Sequence, residues 1–230
     1  MMIRTLPILF LTLFAICSIS AQNEKRPAYA ILVDNTGSLR TQLQTAIALA
    51  KEIVKQVPAG SFISVFGFAT DPSPGSQIAK IAIGIQCTTD RELIGKQLDT
   101  VITVPGQTTL IHAIHTAAQR IGSDKPESCK DFSERSLVLI TDGEDRASAM
   151  KASDLISSLK TEGLKVFAIG LITELSKEGG FTAESPEQKS KKFLERMTKE
   201  TGGKVVFPKK KQTVEETVKQ LFDTTTKSSK

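Results

Sequence analysis

Three oxygen-bearing side chains stand at alternate positions in one short polar turn. They are Asp34, Thr36 and Ser38, and the turn follows directly on the apolar run Tyr29–Val33. A carboxylate and two hydroxyls are oxygen ligands of the kind that hard divalent cations such as Mg²⁺ take in proteins. Asx and Ser/Thr turns are also common after strands for purely structural reasons. The turn therefore predicts a cation site only if more oxygen donors from elsewhere in the chain join it.

The turn resembles the metal-ion-dependent adhesion site of von Willebrand factor type A domains, where the pattern is Asp-x-Ser-x-Ser. Here it reads Asp34-x-Thr36-x-Ser38, so a Thr replaces the usual Ser but keeps the hydroxyl oxygen. Two further segments in the expected order extend the resemblance. Gly106–Leu110 resembles the Gly-x-Thr loop of the family, and Leu137–Gly143 resembles its second buried strand, which ends in Thr-Asp-Gly.

The resemblance implies a site built from two carboxylates and three hydroxyls. The loop would supply a third hydroxyl, which we assign to Thr108 with the adjacent Thr109 as the alternative. Hydroxyls are expected to contact one Mg²⁺ ion, or Mn²⁺ or Ca²⁺ in its place, while carboxylates often act through water. One coordination position then stays open for an Asp or Glu side chain of a partner protein. The predicted metal ligands are Asp34, Thr36, Ser38, Thr108 and Asp142.

Apolar strands alternate with amphipathic helical segments along the chain, which predicts an α/β fold. We expect a doubly wound, mostly parallel six-stranded sheet with one antiparallel edge strand and helices on both faces, the Rossmann-like arrangement of the family that the chain resembles. The helical pattern is clearest over Thr108–Gly122, and another helix is predicted over Ala147–Glu162. Strands one and four are neighbours in this topology, so Asp34 and Asp142 should approach each other at the carboxyl edge of the sheet. A cation would relieve their repulsion.

The two ends of the chain differ in composition from the predicted domain. Met1–Ala21 carries Arg4, then an apolar stretch, then small residues, which is typical of a cleaved signal peptide and too short for a membrane-spanning helix. Residues 22–27 are a lead-in, 28–224 the predicted von Willebrand factor A domain, and 225–230 a basic tail. We therefore expect a secreted or periplasmic protein with no membrane span after cleavage.

Charge and cysteine usage restrict the partners and the compartment. Loss of residues 1–21 removes one of the 30 basic residues, so 29 remain against 25 acidic ones, a net charge of +4. No aromatic residues interleave with the lysines, which favours solubility over nucleic-acid binding. Cys87 and Cys129 remain after cleavage and form a candidate disulfide at the end of the sheet opposite Asp34.

Other classes of function share parts of this pattern. A Mg²⁺-dependent phosphohydrolase of haloacid-dehalogenase type also starts from an Asp at a strand end, but its acid/base Asp two residues later is Thr36 here. A metal-free scaffold with a degenerate site is the third reading. A serine hydrolase does not fit, because the chain has no Gly-x-Ser-x-Gly elbow and both histidines precede Asp142. We expect a non-catalytic protein-binding or adhesion domain, with His112 and His115 facing solvent.

Overall fold

Strands and helices alternate through the parts of the chain that the computed structural model describes, residues 25–70, 79–105, 107–122, 132–178 and 184–223. The described strands are β1 (Arg26–Asp34), β2 (Phe62–Thr70), β3 (Ala79–Thr88), β4 (Phe132–Thr141), β5 (Lys165–Gly170) and β6 (Val205–Val206). The described α-helices are α1 (Leu43–Gln56), α2 (Arg91–Leu98), α3 (Leu110–Gly122), α4 (Ala152–Thr161), α5 (Pro186–Glu200) and α6 (Val214–Phe222). Short 3₁₀ helices span Gly37–Gln42 and Ile172–Glu174.

The six strands form one sheet in the order β3-β2-β1-β4-β5-β6. Neighbouring strands from β2 to β6 pair in parallel, whereas β3 pairs antiparallel with β2 at the edge. Helices cover both faces of the sheet. The predicted doubly wound sheet with one antiparallel edge strand is therefore confirmed.

The central strand β1 is buried on both faces, which its continuous apolar run predicts. Ala30 and Leu32 pack into one core with α3, α4 and α5. Ile31 and Val33 pack into a second core with α1, α2 and α6. Since successive side chains of a strand point to opposite faces, one short segment joins both layers. Its carboxyl end is thereby fixed beside the end of β4.

Some element boundaries differ from the sequence prediction. The helix expected from Ala147 begins at Ala152, because the segment before it binds the loop that carries Thr108. The amides of Arg146 and Ala147 donate to the carbonyl of Thr108 at 2.8 and 3.2 Å. β1 begins at Arg26, inside the predicted lead-in, because Arg26 pairs with Phe132 of β4.

The ends of the chain and one predicted disulfide partner lie outside the described residues. These are the predicted signal segment, the basic tail and Cys129. Cys87 is disulfide-bonded and lies one residue before the end of β3, at the end of the sheet opposite Asp34, where Thr88 pairs with Ile63. The pairing of Cys87 with Cys129 stays a prediction. No helix within the described ranges has the length and apolar character needed to cross a membrane.

Candidate metal centre

β1 ends at Asp34, whose carboxylate is fully buried and accepts three hydrogen bonds. Its Oδ1 accepts from the amide and the hydroxyl of Thr36, at 3.1 and 2.7 Å. Its Oδ2 accepts from the hydroxyl of Thr141, at 2.6 Å. Asp34 therefore fixes the turn that follows β1 and ties that turn to the last residue of β4.

The hydroxyls of the predicted site converge beside this carboxylate. Thr36 Oγ1 lies 3.2 Å from Ser38 Oγ, and Thr108 Oγ1 donates to Thr36 Oγ1 at 3.3 Å. Thr36 and Thr108 are buried, whereas Ser38 is partly exposed. The hydroxyl of Thr109, the alternative ligand, is buried and has no hydrogen-bond partner within the described parts of the chain. Of the two threonines, Thr108 is thus the one in contact with the turn after β1.

The second predicted carboxylate belongs to Asp142, directly after β4, and this residue is only 2% exposed. Its Oδ1 accepts from the amide of Glu144 at 2.9 Å. The Ser38 hydroxyl lies beside the carboxylate and favours its charged form. Oδ2 is nevertheless buried, with no partner of hydrogen-bond geometry among the described residues. A buried carboxylate oxygen that lacks a partner is costly, so this atom marks a place where another group can bind.

Burial raises the pKa of both carboxyls, and at Asp34 the charge of Asp142 raises it further. Burial is the larger cause for Asp34, and the charge of Asp142 adds to it, so that the pKa of Asp34 rises to about 7. Hydrogen bonds from Thr141 and Thr36 oppose this rise. Burial also raises the pKa of Asp142, against the Glu144 amide and the Ser38 hydroxyl. Without a positive charge between them, the two aspartates cannot both be ionised at low cost.

The donor set suits a hard divalent cation. Two carboxylates and three hydroxyls converge from three separate segments, and all five offer oxygen atoms. Across the described parts of the chain, no group of three or more His, Cys, Asp or Glu side chains could hold a metal ion. A centre at this edge of the sheet therefore depends on hydroxyl ligands as well as the aspartates. The fold brings the predicted residues together, and metal binding itself stays a prediction.

Thr141 is a site residue that the sequence analysis did not single out. Its hydroxyl donates to Asp34 and accepts from the amide of Gly143 at 3.0 Å. It therefore links the first carboxylate to the turn that carries the second. The signal in the sequence was the position of Thr141, one residue before the predicted ligand Asp142.

Asn35 is the second residue that the sequence analysis missed. It is buried, and its Nδ2 donates to the carbonyl of Ile102 at 2.8 Å. The backbone carbonyl of Asn35 accepts from the amide of Val104, also at 2.8 Å. Asn35 thus holds the segment that leads to Thr108 against the end of β1. Nothing in the local sequence indicates a contact over 67 residues.

The residues after Asp142 form the rim of the site and the cap of a neighbouring helix. Asp145 Oδ1 accepts from the amide of Ile111, near the start of α3, at 3.0 Å. Glu144 forms an ion pair with Arg146. A cavity of about 740 Å³ lies at the opposite end of the strands, near Tyr29. None of its described lining residues belongs to the site.

The two histidines lie outside the site, and the prediction that they face solvent was wrong. Both His112 and His115 are partly buried, and the Nδ1 atom of each is inaccessible and without a hydrogen-bond partner. They lie on α3, which packs mainly against β3 and β1 of the sheet. Residues three apart on a helix share one side, so both histidines are partly buried on the same side of α3.

A family model described as von Willebrand factor type A domain matches residues 30–223. The chain belongs to the von Willebrand factor type A family. The match extends from the middle of β1 to just after α6, so it includes all five predicted ligands of this domain. No curated protein matches the chain.

Solved structures share the fold of this von Willebrand factor A domain at low sequence identity. An aerotolerance-related membrane protein from Bacteroides fragilis NCTC 9343, carrying multiple mutations to serines, aligns with a TM-score of 0.60 at 19% identity, covering 84% of this chain and 96% of its own. BatB from Bacteroides thetaiotaomicron, a conserved hypothetical protein, aligns with a TM-score of 0.59 at 18% identity, covering 84% and 95%. The pilus adhesin SpaC from Lactobacillus rhamnosus GG, in an open conformation, aligns with a TM-score of 0.60 at 11% identity, covering 87% of this chain but 29% of its own.

The raised pKa of Asp34 predicts an unusual pH dependence for the protein in a chelating buffer. The folded state holds the proton of Asp34 more tightly than the unfolded state, so the contribution of this group to stability is full below its ordinary pKa of 3.8 and is lost as the pH rises to about 7. One such carboxyl changes the free energy of unfolding by at most about 1.4 kcal/mol per pH unit. Urea unfolding between pH 5 and 7.5 measures the slope.

The matched control for this slope is Asp34→Asn, which keeps the size of the side chain but cannot titrate. Glu52 and Glu200 have lowered pKa values, so their contribution changes below pH 5 and does not enter the window. The variant should show a flatter profile than the native protein. A native profile that is flat or rises from pH 5 to 7.5 would contradict the electrostatic account of the site.

Close packing beneath the Asp142 turn predicts that Gly143→Ala is strongly destabilising. Gly143 has φ +79°, and a Cβ there would lie 2.9 Å from Cβ of Ser190 and 3.1 Å from Cδ1 of Leu194. Backbone strain and overpacking together should lower the free energy of unfolding by about 2 to 4 kcal/mol. Gly163→Ala is the control, since Gly163 has φ +64° with open space around it, and should cost about 1 to 2 kcal/mol. Equal losses in the two variants would show that the turn is not held by α5.

Proposed function

We propose that the chain is a non-catalytic, divalent-cation-dependent protein-binding domain. One Mg²⁺, Mn²⁺ or Ca²⁺ ion would be held at the carboxyl edge of the sheet, where a partner protein presents an Asp or Glu side chain. The observation that carries this proposal is the unpartnered, buried Oδ2 of Asp142 next to a second buried carboxylate. Two acidic groups placed in this way without a counter-charge are explained by a cation between them.

Each residue of the site has a distinct part in this proposal. Thr36, Ser38 and Thr108 would offer neutral oxygen atoms, so the ion keeps more of its positive charge than it would among carboxylates alone. Asp34 and Asp142 would balance that charge from the buried side of the site. A bound cation would supply an electrophilic position for a carboxylate of the partner. Ser38 is the partly exposed member of the set, so approach from solvent is over its side chain.

The buried hydrogen bonds preorganise the site for this role. Asp34 is fixed by Thr36 on one oxygen and by Thr141 on the other, at 2.7 and 2.6 Å. Thr108 is held through its backbone, since its carbonyl accepts from two amides of the loop after Asp142. Little rearrangement is then needed on binding, which lowers the cost of recognition.

Export and a role in adhesion form part of the same proposal. The signal-peptide pattern of Met1–Ala21 supports delivery to the periplasm or the exterior. Proteins that share the fold include a pilus adhesin and an aerotolerance-related membrane protein, which is consistent with work at a cell envelope. We assign no catalytic step, because Thr36 stands where a phosphohydrolase would carry its acid/base Asp, and its hydroxyl donates a hydrogen bond to Asp34.

Millimolar Mg²⁺ or Mn²⁺ should stabilise the native protein against heat. A ligand at about 100 times its Kd stabilises the folded state by about 2.7 kcal/mol, which raises Tm by roughly 5 to 10 °C for a domain of this size. Asp34→Ala and Asp142→Asn should abolish the rise, since each removes one of the two buried charges. Differential scanning calorimetry with cation and with chelator measures the effect.

The control is Asp154→Asn, which removes an exposed carboxylate from α4 and should keep the full response. A native Tm that is indifferent to both cations would overturn the cation-dependent function and favour a metal-free scaffold. A response that is retained in both Asp34→Ala and Asp142→Asn would place the ion elsewhere.

A further inference from the structure

A second cavity opens beside the candidate metal centre, with a volume of about 370 Å³. Its apolar walls are Ile111 of α3, Ala152 at the start of α4, and Pro186 and Phe193 of α5. Three helices therefore contribute side chains to one small apolar space. Cavities that bind ligands range from roughly 300 to 1,000 Å³, so this one suits a single large side chain better than an extended ligand.

The cavity and the metal centre share a wall. Gly143, Glu144, Asp145 and Arg146 line the cavity, and this segment follows Asp142 without interruption. The Glu144 amide donates to Asp142 Oδ1 at 2.9 Å. A chain that reached the metal centre with one residue would therefore pass the mouth of the cavity within a few residues.

One exposed lysine on the cavity lining, Lys189, is available to an acidic partner. Asp145 is engaged by the amide of Ile111 and the hydroxyl of Ser148, and Glu144 is paired with Arg146. Lys189 is exposed on the lining and forms no ion pair with any described residue. Asp145 keeps its negative charge, so the four charged residues of the lining balance, but its carboxylate is held by the Ile111 amide and the Ser148 hydroxyl, whereas the exposed Lys189 ammonium is available to a partner. This ammonium complements a segment that already carries an Asp or Glu for the metal centre.

We propose that this cavity receives an apolar side chain, such as Leu or Phe, from the same partner segment whose carboxylate reaches the metal centre. This inference rests on the proposed function, which it extends by one subsite. The partner is then recognised by two features of one short stretch, an acidic residue and an apolar residue within about four positions. Burial of the apolar side chain adds affinity that the ion alone does not provide.

An array of immobilised octapeptides tests the pairing directly. Each peptide has one Asp in a Ser/Gly background and one Leu, Phe, Lys or Ser placed one to four residues away, and retention of the purified protein is measured in Mg²⁺. At the best spacing, Leu or Phe should increase retention about tenfold over Ser, since burying one such side chain is worth about that factor. Ala152→Trp fills the cavity and should remove this preference.

Two further variants separate the cavity from general effects on folding. Ser157→Trp places the same large side chain on the exposed part of α4 and should leave the preference intact. Lys189→Glu changes only an exposed position and should lower retention of the Asp-Leu peptides severalfold.

The outcomes distinguish the two proposals. Retention of every Asp peptide regardless of its neighbour, lost in Asp34→Ala, would support the metal centre and overturn the cavity subsite. Retention of Leu or Phe peptides that is unchanged in both Ala152→Trp and Lys189→Glu would also overturn the subsite. Retention of no peptide in Mg²⁺ would count against both.

Discussion

Two aspartates buried side by side at the carboxyl edge of a sheet are the constraint on which the rest of this structure depends. Asp34 is fully buried and Asp142 is 2% exposed, and burial together with mutual repulsion favours the protonated form of Asp34. Such an arrangement is unfavourable without a cation, because each charge loses its water without gaining a counter-ion. The neighbouring hydroxyls and amides reduce this cost but leave one oxygen without a partner.

The order of strands creates that constraint. β1 and β4 are separated by about a hundred residues in the chain but pair in parallel, with Val33 opposite Ile140. The carboxyl-terminal halves of both strands are buried on both faces, so neither can slide or twist to separate Asp34, which ends β1, from Asp142, which follows β4. The loop that carries Thr108 is then fixed from two sides, by Asn35 through the segment at 102–104 and by the amides of the loop after Asp142. Rigidity of the core is thereby transmitted to the site.

Much of the fold could be predicted from the sequence, because continuous apolar runs and amphipathic helices follow from simple periodicity. Membership of the family also gave the strand order, and with it the approach of Asp34 to Asp142. Contacts that depend on side-chain geometry could not be predicted in the same way. The role of Asn35 arises from a hydrogen bond over 67 residues. The late start of α4 at Ala152 arises because the amides of Arg146 and Ala147 donate to the Thr108 carbonyl and are not part of a helix.

The central claim is that the oxygen atoms brought together at this edge bind a divalent cation. Anomalous diffraction from crystals of the native protein grown in millimolar Mn²⁺ tests it most directly. The account predicts one strong peak about 2 Å from at least one hydroxyl oxygen of Thr36, Ser38 or Thr108. A map with no peak there, or with Mn²⁺ bound only at other places on the molecule, would contradict it.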